Sequence, residues 1–382
     1  MTNEPAPNEV TSAEVGFPIT ANDVTPQWLT DVLRAADALG ADDVVTSVTV
    51  SRLGAGSGFM GDVARLRLTY AGSSAPVASV VVKSAAPDAK VREMVRGYRN
   101  YEREVAFFTA MSGALRDALP RCFEAQLDAR SNHVVLVLED LGSTYVDGDQ
   151  VAGATYEQAR DCLDVLAELH ARHWDAGSRA ELASVPRVDG DFFVPTMAGA
   201  FGGGWAGVLE RFPELVPAPL LNVGAAFAEH VAGLAQRLAC APQTLVHSDF
   251  RLDNVMFARE GVSPPVKVLD WQGILVSAGV HDVAFLLSQN LADGVRESGE
   301  RDLVAYYHKR LVELGVQGYD LESLWADYRV AVLLEWVYPV IIGGSLPMDT
   351  ERSRALFAAM VERSGRAIVS LDALTLLARP AG

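Results

Sequence analysis

Cysteine is scarce in this chain, with three among 382 residues, at positions 122, 162 and 240. An odd number, widely spaced and without a Cys-x-x-Cys pair, excludes a disulfide framework and points to buried thiols in a reducing compartment. Basic residues are also few, 32 against 49 acidic, for a net charge of -17. That balance disfavours nucleic acid and other polyanions as partners, while allowing a cationic ligand or serving solubility alone. No apolar run is long enough to cross a bilayer: the most apolar late stretch, Val330 to Ile342, is short and interrupted by Glu335 and Pro339. The N-terminal MTNEPAPNEVTSAEV has neither the basic nor the apolar region of a secretory signal. The expectation is a cytoplasmic protein with no membrane span, and nothing in the chain sets an oligomeric state.

What is present is a hydrophobic content of 49%, enough over this length to bury a large core and to favour two lobes over one. The most informative stretch is Leu245 to Gly273, LVHSDFRLDNVMFAREGVSPPVKVLDWQG. Its apolar runs, Val255 to Phe257 and Val266 to Leu269, read as two strands joined by a Pro/Gly turn. A hairpin returns its second strand to the start of the first, which sets Asn254 beside Asp270. An amide oxygen next to a carboxylate suits magnesium, which takes one or two protein oxygens and keeps its other positions for water and phosphate. Asp249, on the loop entering the hairpin, is placed to accept a proton from a hydroxyl held nearby. Any one of these residues alone is more often a turn former. His247, Asp249, Asn254 and Asp270 in this order form the pattern of base, metal-binding amide and metal-binding carboxylate found in kinases.

Through HSDFRLDN, VLDWQG and His281-Asp282-Val283-Ala284-Phe285, the chain resembles the aminoglycoside phosphotransferase and choline kinase-like families of small-molecule kinases, in particular the ecdysteroid kinase-like branch. Two departures stand out: Ser248 where glycine is common, and Trp271-Gln272-Gly273 in place of the Phe-Gly of protein kinases. The resemblance implies an α+β, bilobal, protein-kinase-like fold. A small N-terminal lobe would carry an antiparallel sheet, and a large C-terminal lobe would be mainly helical. The expected boundaries are a disordered tail over 1–15, a nucleotide-binding lobe over 16–140 and a catalytic and acceptor-binding lobe over 141–382. It further implies ATP and Mg2+ as cofactors and a small-molecule hydroxyl as acceptor. The alternative is a nucleotide-binding regulator without transfer activity, against which the presence of Lys83, Asp249, Asn254 and Asp270 together argues.

Other segments take their meaning from this frame. Thr25 and Pro26 read as the cap and first residue of a helix. Strand residues Val44 to Val50 and Val63 to Leu68 flank a glycine-rich loop containing Gly54, Gly56, Ser57, Gly58 and Gly61. A strand after the glycines, rather than a helix, suits a loop that covers phosphates, although a plain hairpin tip has the same composition. Val77 to Val82 reads as a buried strand closed by Lys83, and Arg92 to Phe108 as a helix carrying Glu104. As in the kinase fold, a Lys83–Glu104 pair would aim the ammonium at the α- and β-phosphates, with Glu102 as the rival partner. Val134 to Leu138 leads into Glu139-Asp140-Leu141-Gly142, which resembles the family's linker. Backbone groups from Glu139 to Leu141 would then meet the adenine.

Thr155 to Trp174 reads as a helix with His170 in the core and His173 on the surface. Residues 176–242 resist assignment. Asp282 is expected to cap a helix or brace the catalytic loop. Arg251, two residues after Asp249, is expected to stabilise transferred charge, and His247 to bond within the loop. Trp271, Glu335, Trp336 and Tyr338 are weaker expectations for acceptor contacts.

Overall fold

The computed structural model describes residues 10–53, 60–71 and 77–377. They fall into two compact units, Met1–Thr144 and Tyr145–Gly382. Gly54, Gly56, Ser57 and Gly58 of the glycine-rich loop lie outside the described residues.

The first unit opens with helix α1, Ser12–Val15, inside the segment expected to be a disordered tail. A capping box explains the difference: the Thr11 amide donates to Glu14 Oε2 at 2.7 Å, satisfying a donor that an isolated turn leaves open. Helix α2, Pro26–Ala35, begins where Thr25 accepts from the Trp28 amide at 3.2 Å and Pro26 supplies a preset φ. Five strands follow: β1 Val44–Arg52, β2 Gly61–Ala71, β3 Ser79–Ala85, β4 Cys122–Asp128 and β5 His133–Glu139. They pair antiparallel in the order β1-β2-β3-β5-β4.

The period of two along β5 divides its burial between the two faces of the sheet. Val135 and Val137 join Leu29, Leu33, Leu66, Val80 and Val82 on one side. Val134 and Leu136 join Val95 and Tyr101 on the other. Covered on both sides, β5 can be apolar throughout, which is why it reads as an unbroken run. Lys83 lies within β3 rather than at its end, pairing with Val63 and Leu136. The helix expected over 92–108 is two, α3 Ala89–Gly97 and α4 Asn100–Ala106, broken at Arg99 with φ +56°.

The second unit is mainly helical. Helix α5, Tyr156–Arg172, starts in a Thr155/Gln158 capping box and buries Leu163, Leu166 and His170. His173, expected at the surface, is buried; at the end of α5 its Nδ1 lies 3.0 Å from the Leu169 carbonyl, within hydrogen-bond reach. Residues 176–242 hold α6 Phe193–Arg211, α7 Ala218–Leu221 and α8 Val231–Cys240. Strands β6 Tyr145–Asp147, β8 Val255–Ala258 and β9 Val266–Val268 form one small sheet, and β7 Gln243–Val246 pairs with β10 Leu275–Ala278. Helix α9, Val280–Gln289, is buried along its whole length. Helices α10 Val295–Glu313, α11 Leu321–Leu334, α12 Val337–Ser345 and α13 Glu351–Ser370 complete the unit.

Helices α6 and α12 approach so closely that a Cβ on Gly204 would stand 2.6 Å from the Val340 carbonyl oxygen, while one on Gly203 would meet nothing within 4 Å. Gly204→Ala is therefore expected to cost about 1–3 kcal/mol through overpacking. Gly203→Ala, one residue away, should gain about 0.5–1 kcal/mol from helix propensity. Urea unfolding of the two variants measures both signs.

Candidate active site

The loop between β7 and β8 is held at both ends by α9. Asp282, in the first turn of that helix, accepts the His247 amide at 2.7 Å and the Ser248 amide at 2.8 Å. Asn290, just past its end, accepts the Leu252 amide at 3.0 Å. His170 adds a third contact to Asp282, its Nε2 lying 3.2 Å from Oδ2, and its Nδ1 is 2.7 Å from the Tyr307 hydroxyl. Burial would raise the Asp282 carboxyl, but the bond to His170, with smaller help from the other histidines nearby, outweighs it and holds the group below the ordinary carboxylate range. Asp282 thus braces the loop through its backbone.

Between these supports the loop arranges its own side chains. The His247 ring has Nε2 3.0 Å from the Leu269 carbonyl and Nδ1 3.3 Å from the Asp249 amide. That pattern uses both nitrogens of a neutral imidazole and leaves none for proton transfer. The Asn254 amide nitrogen donates to the Asp249 carbonyl and to Asp249 Oδ2, both at 3.0 Å. With the nitrogen committed, the amide oxygen is the atom that can meet a cation.

The hairpin geometry brings Asp270 to the same place. Val255 pairs with Val268, and the Leu269 amide donates to the Asn254 carbonyl at 2.8 Å, so Asp270 follows directly after the residue opposite Asn254. Asp270 adopts φ +60°, a left-handed conformation that aspartate tolerates, and accepts from Gln272 Nε2 at 2.6 Å. The turn that follows lies against the loop: a Cβ on Gly273 would come within 2.8 Å of the His247 carbonyl. Glycine is required at this close approach, and Trp271 is buried beneath it with its ring 4.7 Å from that of His247.

Asp249 is pushed above the ordinary carboxylate value first by burial and also by the negative charge of Asp270, against the pull of Arg251, His247 and Asn254. Arg251 Nε stands 3.4 Å from Asp249 Oδ2 without hydrogen-bond alignment, the two side chains being 25% and 31% exposed. The field of Asp249 raises the guanidinium pKa, with smaller help from Asp270 and Asp253. Two acids and a displaced amide oxygen therefore share one region. A divalent cation would relieve their mutual repulsion. Among the described residues no three His, Cys, Asp or Glu gather into a complete metal site. Asn254 and Asp270 instead fit magnesium, which draws most of its ligands from water and phosphate.

In the first unit, Lys83 Nζ lies 2.9 Å from Glu104 Oε1, both residues buried. Glu102, the rival, is taken by Arg99 at 2.6 Å. Gly61 starts β2, where a Cβ would stand 3.0 Å from the Ser84 carbonyl. Of the backbone groups expected at an adenine, the Glu139 amide is used by the Arg121 carbonyl at 2.8 Å, and the Leu141 carbonyl by the Thr144 amide at 3.0 Å. The residue between them, Asp140, accepts from Arg65 and Ser79. These internal bonds engage the Glu139 N–H and one of the two lone pairs of the Leu141 C=O.

The weaker acceptor contacts are redistributed. Trp336 is buried in an aromatic cluster with Phe201, Trp205 and Phe227, and Trp271 lies under the loop. Neither presents surface to a ligand. Glu335 is also buried, 3.1 Å from His281 Nε2 but without hydrogen-bond alignment. Burial drives its carboxyl well above the ordinary value, helped by Asp282 and Asp249, and lowers His281 to about 4. Both groups are held neutral. Tyr338 alone of the four is half-buried, and its hydroxyl meets Ser248 Oγ at 2.8 Å. That contact and the Asp282–His170–Tyr307 chain were missed from sequence, because each joins residues far apart whose individual patterns are those of core positions.

These elements define a small-molecule-kinase-like protein: an antiparallel sheet unit with a Lys–Glu pair, and a helical unit whose hairpin gathers an aspartate, an asparagine and a second aspartate. The chain belongs to the ecdysteroid kinase-like family, whose sequence profile matches residues 55–176 and 218–317. Among solved structures it is similar to choline kinase from Cryptosporidium parvum, at 11% identity and a TM-score of 0.51, covering 92% of this chain and 98% of the other. Plasmodium vivax ethanolamine kinase matches at 11% identity and a TM-score of 0.48, over 90% of each chain. An aminoglycoside phosphotransferase from Streptomyces rimosus, solved with ADP and streptomycin, matches at 15% identity and a TM-score of 0.43, over 82% of this chain and 100% of the other. No curated protein matches. Among the described residues no helix is long and apolar enough to cross a membrane.

Asp282→Asn is expected to destabilise the protein by at least about 2 kcal/mol at neutral pH, since an amide cannot accept on both atoms from two backbone N–H groups. Because the folded carboxyl is lowered, its stabilising contribution is full above the unfolded value of about 3.9 and disappears as pH falls through the lower folded value. Chemical denaturation across pH should show the gap between parent and variant closing below about pH 4.

Proposed function

We propose that this protein transfers the γ-phosphoryl group of ATP, with magnesium, to a hydroxyl of a small molecule. The observation that carries this reading is the hairpin, which sets Asp270 next to Asn254 while Asn254 holds the Asp249 carboxylate. When bound, magnesium supplies charge neutralisation for the phosphates, and Asn254 and Asp270 are the residues that would hold it. Lys83, oriented by Glu104, would grip the α- and β-phosphates, and the loop ending at Gly61 would cover them. Backbone groups between Glu139 and Leu141 would meet the edge of the base.

Asp249 would orient the acceptor hydroxyl and take its proton as the phosphoryl group leaves ATP. Its raised pKa improves it as a base, at the cost of requiring a pH high enough to ionise it. Arg251, already beside Asp249, would balance charge on the transferred group. The acceptor enters as an alcohol. The ecdysteroid kinase-like family profile, together with a fold shared with a choline kinase, supports a small-molecule alcohol.

The test is incubation with labelled ATP and magnesium against amino alcohols, aminoglycosides, sterols and cell extract. Label should move into an acceptor, and Asp249→Asn should lower the rate by roughly 10²–10⁴-fold. Lys83→Met should weaken ATP use. The parent rate should rise with pH as Asp249 ionises, because the base works only when deprotonated. Nucleotide binding without any transferred label would instead identify a regulator.

A further inference from the structure

Ser248 occupies a position that its side chain does not favour. Its φ of +64° lies in the left-handed region, which glycine enters freely and a serine enters at a cost. A residue stays in such a conformation only when its surroundings fix it from more than one side. Two contacts do so: the Ser248 amide donates to Asp282 Oδ1 at 2.8 Å, and its hydroxyl lies 2.8 Å from that of Tyr338. The second contact needs the hydroxyl that glycine lacks. Tyr338 is itself steadied by its ring, which meets Phe285 edge-on at 5.3 Å and His281 at 6.5 Å.

Ser248 immediately precedes Asp249, whose own amide bonds to the ring of His247. A change in ψ at Ser248 would swing the Asp249 side chain relative to Asn254. From this arrangement we infer that Tyr338 is a positioning residue, acting through Ser248 to set the direction of the Asp249 carboxylate. This assignment rests on the kinase reading above, with Asp249 as base. It stands beside the expectation that Tyr338 is an acceptor contact. The hydroxyl pair compensates locally for the use of serine at a glycine-favouring turn, so the two positions should depend on each other.

A double-mutant cycle tests it, using Tyr338→Phe, which removes the hydroxyl and keeps the ring, and Ser248→Gly, which removes both the contact and the backbone cost. The probe is MgATP turnover with water as acceptor. In the serine background Tyr338→Phe should lower kcat by about 5- to 10-fold, with KM for ATP changed less than about twofold, as expected for lost orientation. In the Ser248→Gly background the same substitution should change kcat less than about twofold, because the interaction it breaks is already gone. Hydrogen exchange in residues 247–250 gives a readout independent of turnover. Tyr338→Phe should accelerate it in the serine background only.

Equal effects of Tyr338→Phe in both backgrounds, in rate and in exchange, would overturn the proposal and leave Tyr338 acting by packing or direct contact. A KM change with kcat unaltered would overturn it too. A parent protein that passes label to no acceptor of the panel would sink the kinase reading, while the exchange readout would still decide whether Tyr338 holds Ser248, which keeps the two failures distinguishable.

Discussion

The second unit depends on one carboxylate accepting two consecutive backbone amides. Asp282 takes the N–H groups of His247 and Ser248 on its two oxygens, and at 0% exposure it has no water to substitute for them. Buried donors without partners are costly, so the loop has little freedom to leave this position. Asn290 repeats the device at Leu252, from the far end of the same helix. A helix buried along its whole length thus acts as a two-point support, and the residues between His247 and Leu252 are shaped by the span between those points.

The loop carries its charge on this support. Asp249 and Asp270 repel one another in a chain that already carries excess negative charge. Arg251 offsets part of that repulsion without making an aligned hydrogen bond to Asp249. Deeper in the unit, Glu335 and His281 avoid the problem by remaining neutral, and Asp282 stays ionised because its bonds outweigh its burial. The contrast separates three acids within one unit. One is a structural anion, one is a buried neutral group, and one is partly exposed beside a second carboxylate.

Much of this was legible in the chain because it depends on short-range patterns. The strands around Val255 and Val266 follow from β-branched runs and a Pro/Gly turn, and their pairing follows from hairpin geometry. The Lys83–Glu104 pair is implied by the resemblance to the kinase fold and by the family's spacing of glutamate before two aromatic residues, although the strand runs past Lys83 and the helix breaks at Arg99. What could not be read was set by tertiary contact. Helix α6 has no polar stripe because Gly204 and Gly207 lie against α12, so its composition resembled a loop. Trp336 looked like a pocket wall and is core, because three other rings enclose it. The Tyr338–Ser248 contact joins residues ninety positions apart, beyond the reach of any local pattern.

Asn254 and Asp270 are proposed to form a cation site, with Asp249 left to the acceptor hydroxyl. Binding of Mn2+ in the presence of ADP, followed by electron paramagnetic resonance, addresses it without requiring the acceptor. Asn254→Ala and Asp270→Asn should each weaken Mn2+ binding by about 10-fold or more, as loss of a ligand does, and Asp249→Asn should retain it. Tight Mn2+ binding by both ligand variants, or its loss on changing Asp249 alone, would contradict the assignment.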